Sequence, residues 1–308
     1  MAAAYKWSPG TRDAMTARGL SAGGPSPDRH DTMSAAFPLT LSRQNTESAE
    51  DDQTATGRMP LTVVIPVLDE AEQIGYAIEC LSWADDVIVV DGGSTDETAT
   101  IARAAGAQVL VLAGDTIAGQ RNLGIASARH NWVLTLDADE RVTPQLRAEI
   151  GKVVRAGRVT RRAYRIRFRN HYLGRELRHG PWGRDWHVRL FTRDRRYVPN
   201  RVHEHLESID DVGMLDGQII HYPYRDLAHH VAKIVRYARW GAEDLHARGR
   251  TAGAWEVVVR PAWRFARDYI VFSGWRDGLI GFVASAMNAF ASFLKYAFLF
   301  SRSHATRA

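Results

Sequence analysis

The 308-residue chain carries a single cysteine, Cys80. One thiol excludes an intramolecular disulfide framework and any Cys-cluster zinc site, and it fits a reduced, cytoplasmic setting. No G-x-G-x-x-G follows the first apolar strand, so a dinucleotide-binding dehydrogenase is not expected. G-x-x-x-x-G-K-[ST] is missing, which excludes a P-loop enzyme. H-E-x-x-H is missing too, because His203-Glu204-His205 has the wrong spacing for a zinc protease. There is no internal repeat. The N-terminus lacks a basic start leading into an apolar stretch, so export by a signal peptide is not expected.

What is present is ordinary for a folded protein: 45% hydrophobic and 24% charged residues, enough for one large domain or two smaller ones. The net charge of +5 is unevenly spread, since residues 151–200 hold 15 Lys and Arg against 3 Asp and Glu. Such a block suits anionic lipid headgroups, a phosphorylated small molecule or nucleic acid. Without an aromatic–basic RNP pattern or a helix-turn-helix, no specific nucleic-acid partner is expected.

Residues 1–58 are rich in Ala, Ser, Thr, Gly, Pro and Asp and show no period, which reads as a disordered segment. At Pro60 the texture changes. Leu61–Val67 is a continuous apolar run, as a buried parallel strand would be. Asp69 and Glu72 have capping-box spacing, and so do Ser94 and Glu97. Further strands are expected at 87–90, 108–112 and 132–136, with helices between them and a Thr143-Pro144 start to a helix reaching Arg155. Four strands alternating with helices predict an α/β, doubly wound, mostly parallel sheet, whose ligands bind at the carboxyl ends of the strands. Residues 162–170 alternate as a strand with one basic face, and 188–192 form another short strand. Helical patterns occupy 227–245 and 257–272. Residues 278–294 then carry no charge, and Lys295 precedes another apolar stretch. Seventeen residues sit at the low edge of a membrane span. A helix lying in the membrane interface is the favoured reading, ahead of a buried core helix and a single span.

The acids at the strand ends carry the chemistry. Asp91 opens Asp-Gly-Gly-Ser-Thr-Asp, and Asp137-Ala138-Asp139 closes the fourth strand. Two carboxylates at i and i+2 share a strand face. They suit a hard divalent cation, Mg²⁺ or Mn²⁺, that also binds phosphate oxygens. His221, His229 and His230 fall into no ligand spacing and read as packing or surface residues. Trp182 and Trp186 fit equally a sugar-stacking or a core role. A general base has to come from the acceptor side. Its candidates are Asp185 and Glu204, with Glu204 preferred because His203 and His205 flank it.

The segments VVIPVLDEAEQI, VDGGSTDETATIA, QRNLGI and LDADE together resemble the family 2 glycosyltransferases of the GT-A fold. LGRELRHGPWGRDWHVRLF, VHEHLE, KIVRYARWGAEDL and the DGLIGF…FLKYA stretch narrow the resemblance to the lipopolysaccharide-core β-1,4-glucosyltransferase-like subgroup, over about residues 61–300. Asp69 stands where Asn is usual, and Arg121 where Lys is usual. The resemblance implies that Pro66, Val67, Leu68 and Glu70 line the nucleoside pocket and that Asp91 accepts from the uracil imide. It implies that Gly92 and Gly93 admit the ligand closely, that Gln120, Arg121 and Asn122 cover ribose and diphosphate, and that Asp137, Ala138 and Asp139 hold ribose and metal. It further implies an inverting, metal-dependent hexose transfer from a UDP-sugar to a cell-envelope glycan or glycolipid at the inner membrane, by a cytoplasmic enzyme peripheral to or anchored in it. The alternatives are transfer to a polyprenyl phosphate and an inactive, membrane-associated binding protein. The expected organisation is a disordered segment 1–58, a GT-A catalytic domain 59–225 and a helical, membrane-interfacial region 226–308.

Overall fold

A computed structural model describes residues 57–156, 159–198, 205–207 and 210–305. The segment expected to be disordered lies outside these residues except for its last two, and Glu204 lies outside them as well.

Strand β1 (Met59–Val67) is buried along almost its whole length, because parallel strands flank it on both edges. A strand covered on both faces needs no alternation, which explains the continuous apolar run. Then follow α1 (Ala71–Glu79), β2 (Ala84–Asp91), α2 (Thr98–Ala104), β3 (Gln108–Val111), α3 (Ile117–Ala126) and β4 (Trp132–Thr135). These strands stand in the order β3-β2-β1-β4, all parallel. The next elements are β5 (Glu140–Val142), α4 (Pro144–Arg155), β6 (Ala163–Tyr172), β7 (Arg175–Glu176), β8 (Trp186–Thr192), β9 (Tyr197–Val198), β10 (His205–Leu206) and β11 (Val212–His221). The sheet continues from β4 through β8, β6 and β11 to β5. In this half only β6 and β11 pair in parallel. The fold is therefore the expected α/β class, with a parallel half joined to a mixed half.

Leu61, Val63 and Ile65 meet Ile74, Leu134, Leu146 and Ile150 in the main core. Fully burying each such side chain contributes roughly 1.5–3 kcal/mol. The Thr143 hydroxyl accepts from Leu146 N, and Pro144 opens α4, as the sequence predicts.

The other two expected caps form differently. Asp69 adopts φ 56°, and its carboxylate accepts from Thr95 N at 2.7 Å instead of capping α1. Asp96 Oδ2 supplies the acceptor for Ala71 N at 3.1 Å. Ser94 donates to Asp91 at 2.6 Å and is not the cap of α2. Asp69 is drawn away by the facing loop and Ser94 by a local carboxylate, each a competing partner to the cap. The outcome is useful: the loops after β1 and β2 are stitched together at the carboxyl edge of the sheet.

The C-terminal part begins with α5 (Leu227–Ala247). A helical stretch over residues 255–271 follows, with π-type turns on either side of α6 (Arg260–Ala266). The last element is α7 (Gly278–Ala305). Asp268 is fully buried and accepts from Arg264 Nε at 2.9 Å, Arg267 Nε at 2.9 Å and Asn288 Nδ2 at 3.1 Å, which ties this stretch to α7. Helix α7 runs through Lys295 without a break, and the lysine stem lies against Gly241 of α5. Residues 274–304 are long and apolar enough to cross a membrane, judged by length and composition. Only part of α7 is covered: Leu299 and Ala284 are buried, while Leu279, Phe282, Phe290, Phe293 and Phe300 are exposed.

Candidate active site

The strand ends converge on one region. Pro66 and Val67 close β1 and are buried, whereas Leu68 just beyond is exposed. Asp91 closes β2 and is buried. Its Oδ1 accepts from Gly93 N, Ser94 N and Ser94 Oγ, so the turn is organised around this carboxylate. Gly92 donates its N–H to Val67 O at 2.8 Å. A Cβ at Gly92 would run into Gln120 Nε2, so a larger residue here would displace the Gln120 side chain. Gln120 and Arg121 are both buried on α3. The Asn122 amide is committed elsewhere: it donates to Tyr197 O at 2.9 Å and accepts from Tyr197 N at 2.8 Å, pinning β9 to α3.

Strand β4 ends at Thr135, so Asp137, buried Ala138 and Asp139 lie in the turn leading to β5 and do not share a strand face. The two aspartates consequently have different surroundings. Asp137 accepts from Arg121 Nη2 at 2.6 Å and Arg189 Nη2 at 3.3 Å. Burial alone would raise its pKa, but the two guanidiniums overcome burial and hold the carboxyl well below the usual range. Among the described residues no arginine pairs with Asp139. Its Oδ1 is buried without a hydrogen-bond partner among them, and Oδ2 lies 3.6 Å from His221 Nε2. Asp139, Glu140 and His221 each present a ligand atom, all within 4.8 Å of one another.

His221 therefore belongs to the site, contrary to the expectation of a packing or surface residue. It ends β11, a strand that sequence reading missed because its glycines and polar residues blur the apolar alternation. Glu140 is close to the group, yet both its oxygens are engaged: Oε1 by Arg189 and Oε2 by Asp137 N at 3.0 Å. Burial pushes its carboxyl upward against the pull of Arg189. The donors left open are Asp139 and His221, an oxygen and a nitrogen, which suits Mn²⁺ or Mg²⁺ completed by phosphate oxygens and water. Asp137, also expected as a ligand, lies outside this group. Glu70 stands nearby, where burial and then the charge of Asp139 push its carboxyl up to about 7.

A second polar layer lies behind the histidine. His221 Nδ1 is 2.7 Å from Asn170 Oδ1. Asn170 is buried, and its Nδ2 donates to Trp182 O at 2.9 Å and Asp185 Oδ2 at 3.3 Å. Asp185 Oδ1 is 2.7 Å from His187 Nε2. Burial raises the Asp185 pKa, but the bonds from His187 and Asn170 outweigh it and leave the carboxyl below its usual value. Of the two candidate bases, Asp185 is thus joined to the metal-donor group through one amide. Trp182 packs among Tyr172, Tyr224 and His230, whereas Trp186 is partly exposed under Arg165.

The α/β sheet thus gathers an Asp-x-Asp turn, a histidine and further carboxylates beyond the ends of its parallel strands. Residues 62–209 match the family model described as glycosyl transferase family 2. The chain is a glycosyltransferase, similar to family 2 over these residues. It is 28% identical over 270 residues to the lipopolysaccharide core biosynthesis glycosyltransferase LpsC of Rhizobium meliloti, covering 82% of this chain and 95% of that one. An uncharacterised glycosyltransferase of Rickettsia prowazekii is also 28% identical, over 77% of this chain and 85% of its own. Among solved structures, glucosyl-3-phosphoglycerate synthase from Mycobacterium tuberculosis, in complex with Mn²⁺, UDP and glucosyl-3-phosphoglycerate, matches 37% of this chain and 45% of its own. That match has 24% identity and a TM-score of 0.32, a likeness too slight to bear on the site.

Proposed function

We propose that this glycosyltransferase is an inverting, divalent-cation-dependent enzyme that moves a hexose from a UDP-sugar to a cell-envelope glycan or glycolipid, as part of lipopolysaccharide core assembly. The observation that carries the proposal is the buried, unpartnered Oδ1 of Asp139 beside His221 Nε2. A buried carboxylate oxygen without a donor is costly unless a cation satisfies it. The likeness to LpsC supports the acceptor class.

Asp139 and His221 would hold the ion, which when bound offsets the charge that develops on the departing diphosphate. The remaining roles fall to the chain itself. Pro66, Val67, Leu68 and Glu70 border the nucleoside, and Asp91 with Gly92 and Gly93 forms the floor beneath it. Gln120 and Arg121 face the diphosphate side, with Arg121 oriented by Asp137. Asp185 accepts the proton of the attacking hydroxyl, and its low pKa keeps it ionised for that task. One in-line displacement at the anomeric carbon inverts its configuration.

The exposed aromatic and aliphatic face over residues 255–282 supports docking at a membrane surface from the cytoplasmic side. It includes Trp255, Trp263, Ile270, Trp275 and Leu279. The proposed organisation is accordingly a catalytic part over 59–225 and a membrane-contacting helical part over 226–308.

A thermal-shift screen of nucleotide sugars with and without Mn²⁺ tests the donor assignment, since a true donor stabilises the fold by binding it. The expected result is a rise in Tm with UDP-sugars that requires the cation. A cation-independent rise with a different base would contradict it.

A further inference from the structure

A cleft of about 510 Å³ lies away from the acidic site, lined by Arg175, Glu176, Arg178, Arg276, Asp277 and Ile280. Two segments a hundred residues apart build it: the β6–β7 hairpin and the start of α7. Its acids are already satisfied. Glu176 accepts from Arg169 at 3.0 Å and lies 3.4 Å from Arg178. Asp277 accepts from His179 N at 2.8 Å and lies 2.7 Å from His179 Nδ1. Arg175 and Arg276, by contrast, have no carboxylate within ion-pair distance among the described residues. The cleft thus presents unneutralised guanidinium charge.

Exposed apolar side chains neighbour its lining residues in sequence. Trp275 is 56% exposed and Leu279 is 75% exposed, and they flank Arg276 and Ile280 in sequence. Forked guanidiniums beside exposed aromatic and aliphatic side chains match a phosphate at the boundary between headgroups and acyl chains. The loop from Leu177 to Asp185 connects the cleft to the candidate base, and its Gly180 N–H donates to Phe272 O at 2.9 Å.

The geometry points to this cleft as a binding site for the phosphate monoester of a membrane lipid headgroup. This inference rests on the membrane-surface reading above and narrows the acceptor to a phosphate-bearing glycolipid. Arg175 and Arg276 grip the phosphate while Trp275 and Leu279 enter the bilayer boundary. The lipid is thereby held on the side of the molecule from which the Asp185 loop departs.

The test is cosedimentation of the full chain with three kinds of vesicle: phosphatidylcholine alone, and the same lipid with a fifth replaced by phosphatidic acid or by phosphatidylglycerol. The wild type should bind the phosphatidic acid vesicles about tenfold or more tightly than phosphatidylcholine, and more tightly than the phosphatidylglycerol vesicles. Arg175→Ala/Arg276→Ala should lose that preference and keep its binding to phosphatidylcholine. Arg248→Ala/Arg250→Ala, a charge-matched control just past the C-terminal end of α5, should keep the preference. An unchanged UDP-induced rise in Tm reports an intact fold, and the single variant Arg276→Gln gives a milder second reading. Equal binding to all vesicles, or equal losses in both double variants, overturns the cleft while leaving membrane docking standing. Failure to bind any vesicle overturns the membrane reading itself and the lipid assignment with it.

Discussion

Asn170 fixes Nδ1 of His221 as a hydrogen-bond donor. The Asn170 Nδ2 donates to the Trp182 carbonyl, which can only accept, so Oδ1 faces His221 Nδ1 at 2.7 Å and Nδ1 must be the donor. Nε2 is the nitrogen that faces Asp139, 3.6 Å away; burial lowers the ring's pKa, but the Asp139 carboxylate outweighs it and raises it, so Nε2 would ligate a cation by giving up its proton. Partners of this kind behind a ligating histidine typically change metal affinity by about 10–100-fold when removed. Asn170→Ala is therefore expected to weaken Mn²⁺ binding by about that factor, read by electron paramagnetic resonance titration of free Mn²⁺. Unchanged affinity would show that the amide does not orient the ring.

Asp185→Asn keeps the size of the side chain and removes the base. The expected loss in kcat is about 10²–10⁴-fold, with the UDP-induced thermal shift intact. An acceptor that is already anionic, such as a polyprenyl phosphate, needs no base. Near-normal kcat in Asp185→Asn would pass the role of base to Glu204, and near-normal kcat in both Asp185→Asn and Glu204→Gln would favour that class of acceptor.

Arg189 is nearly buried and bonds to both Asp137 and the fully buried Glu140. Removing it leaves Glu140 without its counter-charge, which costs about 3–5 kcal/mol for a broken buried pair. Arg189→Met should unfold at clearly lower urea concentration than wild type, and Glu140→Gln introduced with it should recover part of the loss. If the single variant unfolds at the wild-type midpoint, Arg189 is not a structural counter-ion.

His230 is buried against Tyr224 and lies 2.8 Å from the Tyr172 hydroxyl. Burial, reinforced by Lys233 and His229, pushes its pKa down to about 4. The unfolded chain takes up this proton near pH 6.5, before the folded one does, so stability falls as pH drops from about 6.5 towards 4. The contribution is on the order of 3 kcal/mol. The Tm of His230→Phe should fall less steeply over that window than the wild-type Tm, as followed by circular dichroism.

The parallel half of the fold was legible because burial on both faces writes itself as uninterrupted apolar runs, as in Leu61–Val67 and Val87–Val90. Thr143-Pro144 was legible because that cap is satisfied within four residues. Asp69 and Ser94 were misread as caps because their partners, Thr95 and Asp91, come from tertiary loop pairing or a competing local carboxylate. His221 was hidden for a related reason. Its role depends on β11 standing two strands from β8 and beside β5, which carries the chain on from Asp139, and no local spacing records that.

The most direct test of the cation site is calorimetric titration of UDP into the wild type and into Asp139→Ala, each with and without Mn²⁺. In the wild type, Mn²⁺ should tighten UDP binding by at least about tenfold, and in Asp139→Ala that gain should vanish while weak, metal-free binding persists. Equal Mn²⁺-dependent tightening in both proteins would contradict the account.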